Sequence, residues 1–95
     1  MKAKIVIYRS GVERLIDDVN KKDVNEYNHG RLDLLKAMLL QFEGEGTSMK
    51  TEITLYRSVI ENLMDEMSTK ETSEYANGRL DLLKALSLLF DEEDN

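Results

Sequence analysis

Cysteine is absent from this chain of 95 residues, and histidine occurs once, at position 29. Without cysteine, the chain has no disulfide, no thiolate zinc site and no cysteine nucleophile. A single histidine cannot supply a histidine-based metal site or a Ser-His-Asp triad in each of the two halves described below. These absences exclude several common classes of metalloprotein and hydrolase.

Long apolar runs are also missing. The longest runs are a few residues, far below the ~20 that a membrane-spanning helix needs, and residues 1–4 lack the apolar core of a secretion signal. Hydrophobic residues make up 41% of the chain and charged residues 34%, which is typical of a folded, soluble chain. We therefore expect a cytoplasmic protein without a membrane partner.

An internal repeat organises the chain. Residues 1–47 align without gaps on residues 49–95, and nearly half of the aligned pairs are identical. A unit this short buries too little surface to be stable alone. We therefore predict one αα-hairpin repeat in residues 1–43, a linker at 44–48 and a second repeat in 49–95, packed together as one domain with a pseudo-twofold axis.

Negative charge is concentrated in the second copy. Residues 1–48 contain eight basic and eight acidic side chains, whereas residues 49–95 contain five basic and eleven acidic ones, which gives the chain its net charge of −6. This balance favours solubility or an acidic face for a basic partner. It also argues against general binding to nucleic acid.

Helical periodicity runs through both copies. In the second half of each copy, apolar residues fall on one broad helical arc. In the first half they form a narrower seam, which begins with Ile5 and Tyr8 in the first copy and with Ile53 and Tyr56 in the second. Short polar connections between the two segments indicate αα-hairpins. The sequence therefore predicts an all-α fold, a four-helix bundle built by tandem duplication of an αα-hairpin. The spacing of Asp23 and Glu26 predicts a capping box at the second helix.

The segments 3–9 and 51–57 leave an alternative open. Ser10 and Ser58 each precede a glutamate by three residues, as in a capping box, and the residues before them partly alternate between apolar and polar. Strand–helix–helix repeated twice would resemble a ribbon-helix-helix repressor in single-chain form. Its outward strand residues would be Lys2, Lys4, Val6, Lys50, Glu52 and Thr54. We expect such a surface to read DNA poorly because Glu52 has the wrong sign for most contacts.

Two arginines are the strongest candidates for a binding site. Arg31 and Arg79 project from the apolar arc of their helices, with Tyr27 and Tyr75 one turn away. A guanidinium remains charged there and needs a partner. The partner is either a carboxylate within the protein or a bound anion, such as a phosphate or the carboxylate of another molecule.

Arginine also begins a second repeated pattern of charges. Arg9 and Arg57 are each followed by acidic residues at i+4 and i+8, which predicts solvated ion pairs, and we keep both arginines as candidate binding residues. The carboxylates lack the dense clustering of a helical Mg²⁺ site, and the chain has no glycine-rich phosphate loop and no nucleophile elbow. We expect no catalytic residues, no metal and no cofactor.

The phrase Tyr-x-x-Gly-Arg-Leu-Asp-x-Leu occurs at residues 27–35 and 75–83. It resembles a motif of short bacteriophage and prophage proteins, and the resemblance covers about ten residues in each copy. The resemblance implies a small accessory phage protein that acts by binding and assigns no activity or site.

We interpret the chain as a non-enzymatic protein-interaction module, an inhibitor or adaptor that acts stoichiometrically on a host protein and is able to form homo-oligomers. Two alternatives remain: a single-chain ribbon-helix-helix transcriptional regulator, and a protein that sequesters small anions or nucleotides through Arg31 and Arg79. We do not expect direct nucleic-acid binding.

Overall fold

The chain folds as strand–helix–helix, twice over. The computed structural model describes residues 2–43, 50–69 and 73–91. The elements are β1 (Lys4–Tyr8), α1 (Arg9–Asn20), α2 (Glu26–Leu40), β2 (Glu52–Tyr56), α3 (Arg57–Thr69) and α4 (Glu74–Leu89). The predicted linker at 44–48 lies outside the described residues. No helix in the described ranges is long and apolar enough to cross a membrane.

The two strands form an antiparallel ribbon that joins the two copies. Val6 lies opposite Thr54 at its centre, and Lys4 and Tyr8 lie opposite Tyr56 and Glu52. Backbone hydrogen bonds continue beyond both ends of the ribbon. The Arg9 N–H donates to the Thr51 carbonyl at 2.9 Å, and the Arg57 N–H donates to the Ala3 carbonyl at 2.9 Å.

The expectation of an all-α fold is therefore wrong for residues 4–8 and 52–56, although the described chain is mostly helical. Ile5 and Ile53 were placed on a helical seam, but each lies on the inner face of the ribbon and packs against the core. Tyr8 and Tyr56, assigned to the same seam, are 58% and 53% exposed. Within the described residues, each strand pairs only with the strand of the other copy. Pairing between distant segments therefore overrode the local helical pattern.

The helix starts also differ from the expected capping boxes. Helix α1 begins at Arg9 with no side-chain cap, which places Ser10 inside the helix. Asn25, and not Asp23, caps α2 by accepting a hydrogen bond from the Asn28 N–H at 2.8 Å. At the matching position of the second copy, Ser73 accepts from the Ala76 N–H at 3.1 Å. The asparagine and serine side chains are common N-caps because they accept from the free N–H groups of the first turn.

The core lies between the ribbon and the helices. Helix α2 packs against α4, α1 packs against α2, and α3 packs against α4. The most deeply buried side chains include Phe42, Phe90, Leu35 and Val12. Ile5, Ile7, Ile53 and Leu55 close the core from the inner face of the ribbon. Both copies therefore contribute to one shared apolar core.

Candidate functional site: the outer face of the ribbon

The outer face of the ribbon presents one row of three side chains from each copy. Exposed and partly buried residues alternate along both strands, as expected for a sheet with one face on the core. We call the exposed set the ribbon face: Lys4, Val6, Tyr8, Glu52, Thr54 and Tyr56. The alternation predicted for the strand alternative was right for Lys4, Val6, Glu52 and Thr54. Lys2 and Lys50 precede the strands, and the two tyrosines complete the face.

Three of the six side chains on this face are apolar or aromatic and at least half exposed. Val6 is 50% exposed at the centre of β1, and Tyr8 and Tyr56 are more than half exposed at diagonal corners. Scattered exposed apolar residues need no explanation, but a contiguous group on one rigid surface is typical of a contact site. The ribbon face is therefore the first candidate for binding.

Basic residues of both copies are brought together around this face. Segments 2–9 and 50–57 contain five basic side chains and one acidic one, Glu52. The basic residues are Lys2, Lys4, Arg9, Lys50 and Arg57. The remainder of the chain contains eight basic and eighteen acidic side chains. The two ribbon segments therefore carry a positive charge of their own, although the net charge of the chain is negative.

The arginines at the ends of the ribbon are held by neighbouring carboxylates. Arg9 pairs with Glu13 at 3.3 Å in α1, and Arg57 pairs with Glu61 at 3.3 Å in α3, as the i,i+4 spacing predicted. The glutamate side chains are about half exposed, so these pairs contribute little stability and can exchange partners at low cost. Both arginines are close to the ribbon, because their backbone N–H groups bond to the opposite copy.

A second cluster lies where α2 crosses α4. Tyr27 donates a hydrogen bond to Asp81 Oδ2 at 2.6 Å, and Tyr75 donates to Asp33 Oδ2 at 2.6 Å. Each bond joins one copy to the other. Together they form a reciprocal pair that fixes the relative position of the two helices.

The crossing also contains the predicted arginines. The Arg31 guanidinium carbon lies 5.9 Å from the centre of the Tyr27 ring, and that of Arg79 lies 5.8 Å from the Tyr75 ring. These are cation–π distances. Among residues 2–43, 50–69 and 73–91, the buried Nε atoms of Arg9 and Arg79 find no hydrogen-bond partner. The structure thus brings Tyr27, Arg31, Tyr75 and Arg79 together, and an anion-binding role for them stays a prediction.

The two tyrosines at the crossing have perturbed acidity. The hydrogen bond to Asp81, followed by burial, raises the pKa of Tyr27 above its usual value. The hydrogen bond to Asp33, followed by burial, raises the pKa of Tyr75 in the same way. A phenol that donates to a carboxylate is favoured in its neutral form. Both tyrosines are therefore hydrogen-bond donors that hold the two copies together.

His29 distinguishes the crossing in the first copy from that in the second. Its Nε2 atom lies 3.5 Å from Asp33 Oδ1, and its ring meets the Tyr75 ring edge-on at 5.5 Å between centres. Asn77 occupies the equivalent position in the second copy. Among the described residues, no group of three or more His, Cys, Asp or Glu side chains could hold a metal ion.

An open groove of about 630 Å³ lies beside β2. Its walls come from β2, from α3 and from the second half of α2. Thr54, Val59 and Leu63 lie along the side formed by the second copy, and Leu34 and Met38 lie on α2. The groove therefore combines an apolar floor with the outer edge of a strand.

The tyrosine–arginine pairs were predicted from the sequence, whereas the ribbon was only an alternative to the favoured helical fold. The helical seam predicts that Tyr8 and Tyr56 pack between helices, whereas the strand alternative places Val6 on the outer face and does not include the two tyrosines. The available signal was the apolar–polar alternation of residues 4–8 and 52–56, which was outweighed by the continuation of the helical stripe. Comparison with models of known families, with curated proteins and with solved structures finds no match for this chain.

Proposed function

We propose that the chain is a single-chain ribbon-helix-helix protein that binds double-stranded DNA through its ribbon face and acts as a regulator. The observation that carries the proposal is the antiparallel ribbon with an exposed outer face and a surplus of basic residues around it. The major groove of B-DNA accepts a two-stranded ribbon. The element order and the strand pairing are also those of the ribbon-helix-helix arrangement.

The side chains on the face suit contacts with base edges. Lys4 donates hydrogen bonds, Thr54 both donates and accepts, and Val6 suits the methyl group of thymine. Glu52, which the sequence analysis counted against DNA binding, accepts a hydrogen bond from the N4 amino group of cytosine. The acidic residue is therefore compatible with a base contact, although it disfavours contact with phosphate.

The distribution of charge addresses the objection from net charge. Binding to DNA depends on the basic groups near the phosphates, and charges beyond about 10 Å are largely screened at 0.1 M salt. The ribbon segments contain five basic side chains and one acidic one. Glu13 and Glu61, which pair with Arg9 and Arg57 at 3.3 Å, reduce this positive surplus. The acidic remainder orients the protein with its ribbon toward the duplex.

The test is binding to a pool of random duplex DNA at low and at moderate salt. We expect binding that weakens steadily with salt, and Lys4→Ala to weaken it several-fold and to reduce its salt dependence, because one positive charge at the ribbon is lost. Lys36→Ala is the matched control, because it removes one positive charge from an exposed position on α2, outside the ribbon. Absence of salt-dependent binding, or equal losses in both variants, contradicts the proposal.

A second candidate is stoichiometric binding of a protein, as first expected from the sequence, and the groove beside β2 favours it. We infer that an extended, apolar segment of a partner would add to the outer edge of β2. Hydrogen-bonded pairs alternate with non-bonded pairs along an antiparallel ladder. Since Ala3 is bonded to Arg57, Val6 and Thr54 form a non-bonded pair, and the Thr54 backbone groups point to the outer edge.

Selection of displayed random peptides tests this candidate. We expect enrichment of peptides that alternate apolar and polar residues, and loss of binding in Thr54→Pro and in Val59→Glu. Proline at position 54 removes an outward N–H without breaking the ladder to β1. Val6→Pro makes the equivalent change on β1 and should leave peptide binding intact. Equal binding by all four proteins, or self-association through the groove in sedimentation, would rule out the extended partner.

A further inference from the structure

The two rows of the ribbon face have different chemistry. The 48-residue repeat relates Lys4 to Glu52, Val6 to Thr54 and Tyr8 to Tyr56. A dimer of identical chains would show the same side chains in both rows, and its DNA site would share that twofold symmetry. On the ribbon face, the two residues related by the repeat are identical at the tyrosine position. They differ in charge at the first position and in polarity at the second.

The difference at the first position is a reversal of hydrogen-bonding character. The Lys4 ammonium only donates, and the ionised Glu52 carboxylate only accepts. Lysine suits the O6 and N7 acceptors of guanine, whereas glutamate suits the N4 amino donor of cytosine. At the centre, Val6 offers only apolar contact and Thr54 offers a hydroxyl group. The two rows therefore select different bases.

The two rows are far enough apart to contact different base pairs. Glu52 lies opposite Tyr8, four residues along the ribbon from Lys4. Four residues of a strand span roughly 13 Å, which is about four base-pair steps of ~3.4 Å. Lys4 and Glu52 consequently act at separate positions of a site.

The frame beneath the face is nearly symmetric. The reciprocal tyrosine–aspartate bonds are both 2.6 Å long, and the ion pairs of Arg9 and Arg57 are both 3.3 Å long. Residues of the two rows can therefore be exchanged between the copies on equivalent backbone positions. The asymmetry resides in the side chains of the face.

We propose that the ribbon face recognises a non-palindromic DNA duplex. Lys4 contacts a guanine at one end of the site, and Glu52 contacts a cytosine at the other end. This inference rests on the proposed function, and it assigns the class of DNA that the same surface selects. A single chain with two unlike rows reads a site that has a direction, without a second protein to supply the asymmetry.

Three proteins test the inference by selection from a random duplex library followed by sequencing. The first is the wild type. The second is Glu52→Lys/Thr54→Val, which gives both rows the chemistry of the first copy. The third is Lys4→Glu/Val6→Thr/Glu52→Lys/Thr54→Val, which exchanges the rows. All substituted residues are exposed, so thermal melting should confirm that each variant is folded.

We expect an asymmetric consensus for the wild type and a palindromic one for the symmetrised protein. Exchanging the rows is equivalent to rotating the protein by half a turn about its pseudo-twofold axis. The exchanged protein should therefore select the same DNA sequence as the wild type, bound in the opposite orientation. The three proteins are compared by the symmetry of the consensus and not by affinity. The net charge of the symmetrised protein is two units more positive than that of the other two, which by itself strengthens DNA binding. A palindromic wild-type consensus, or a different sequence for the exchanged protein, overturns the inference and leaves DNA binding intact. No enrichment by the wild type overturns the proposed function itself, and the inference falls with it.

Discussion

Glycine at positions 30 and 78 sets how closely α2 and α4 approach. A Cβ atom at Gly30 would meet the Tyr75 backbone carbonyl, and one at Gly78 would meet the Tyr27 carbonyl. The obstacle is backbone in both cases, so relief requires the helices to separate. Gly30 and Gly78 thus form a close contact between the two helices.

Gly30→Ala and Gly78→Ala should each lower the unfolding free energy by about 1–3 kcal/mol, the usual cost of overpacking. Gly11→Ala is the control, because a Cβ there meets nothing within 4 Å. That substitution in the interior of α1 should instead stabilise the protein by about 0.5–1 kcal/mol. Urea unfolding of the three variants measures the difference, and a stable Gly78→Ala would show that the helices can part without loss.

The tyrosine–aspartate bonds should make stability depend on pH at the alkaline end. The folded-state pKa values of Tyr27 and Tyr75 are raised, so the stabilisation is complete below the unfolded pKa near 10 and is lost as pH rises through the folded values. Tyr27→Phe/Tyr75→Phe should be less stable than wild type by about 1–2 kcal/mol at neutral pH. This difference in unfolding free energy should narrow above pH 10, which chemical unfolding at several pH values would measure.

Tyr8→Phe, on the exposed ribbon face, is the control and should leave the stability at neutral pH nearly unchanged. A difference between wild type and the double variant that widens with pH would contradict the role of the tyrosine–aspartate bonds.

At the scale of elements, one helix shows the contrast between core and surface. In α4, Leu83 is 2% exposed and Leu88 is 65% exposed. At helical spacing, Leu83 lies on the broad apolar arc of this helix, whereas Leu88 lies outside the arc. The leucines on one side of α4 are therefore part of the core, and those on the other side are exposed to solvent.

Leu83→Ala should lower the unfolding free energy by about 2–5 kcal/mol, because it leaves a cavity in the shared core. Leu88→Ala, the same change on the exposed side of the same helix, should stay within about 0.5 kcal/mol of wild type. Thermal or urea unfolding compares the two. Similar losses would mean that the exposed end of α4 is covered by another molecule in solution.

The helices were predictable from the sequence, and the strands were not. The second half of each copy carries its apolar residues at helical spacing over four turns, which is a strong local signal. Residues 4–8 carry a weaker alternation that also fits the seam of the following helix. Their state is decided by residues 52–56, which supply the missing hydrogen bonds from the other copy. A local pattern cannot contain that information.

At the scale of the whole molecule, the two copies are interdependent. In the part of the chain that the structure describes, each strand pairs only with the strand of the other copy. The most deeply buried side chains come from both copies. A fragment with residues 1–48 or 49–95 alone would expose the inner face of its strand and one side of its long helix. Such fragments lack enough buried surface to be stable.

We expect each fragment to show little helix by circular dichroism when alone and to regain helix when the two are mixed. Sedimentation of the mixture should give a one-to-one complex with the mass of the full chain. The full chain with a longer linker at 44–48 is the control and should retain its fold, since loop-closure entropy grows slowly with length. A compact, stable monomer of residues 49–95 would refute the interdependence of the copies.

The sequence by itself determined the repeat, the helical segments, the apolar positions of α2 and α4 and the pairing of Tyr27 with Arg31 along one helix, because these depend on residues a few positions apart. Tertiary structure decided the rest. It converted two ambiguous segments into a ribbon, since a strand needs a partner from elsewhere in the chain. It also brought Arg9 and Arg57, which are 48 positions apart, to the two ends of one ribbon, where each pairs with a glutamate of its own helix.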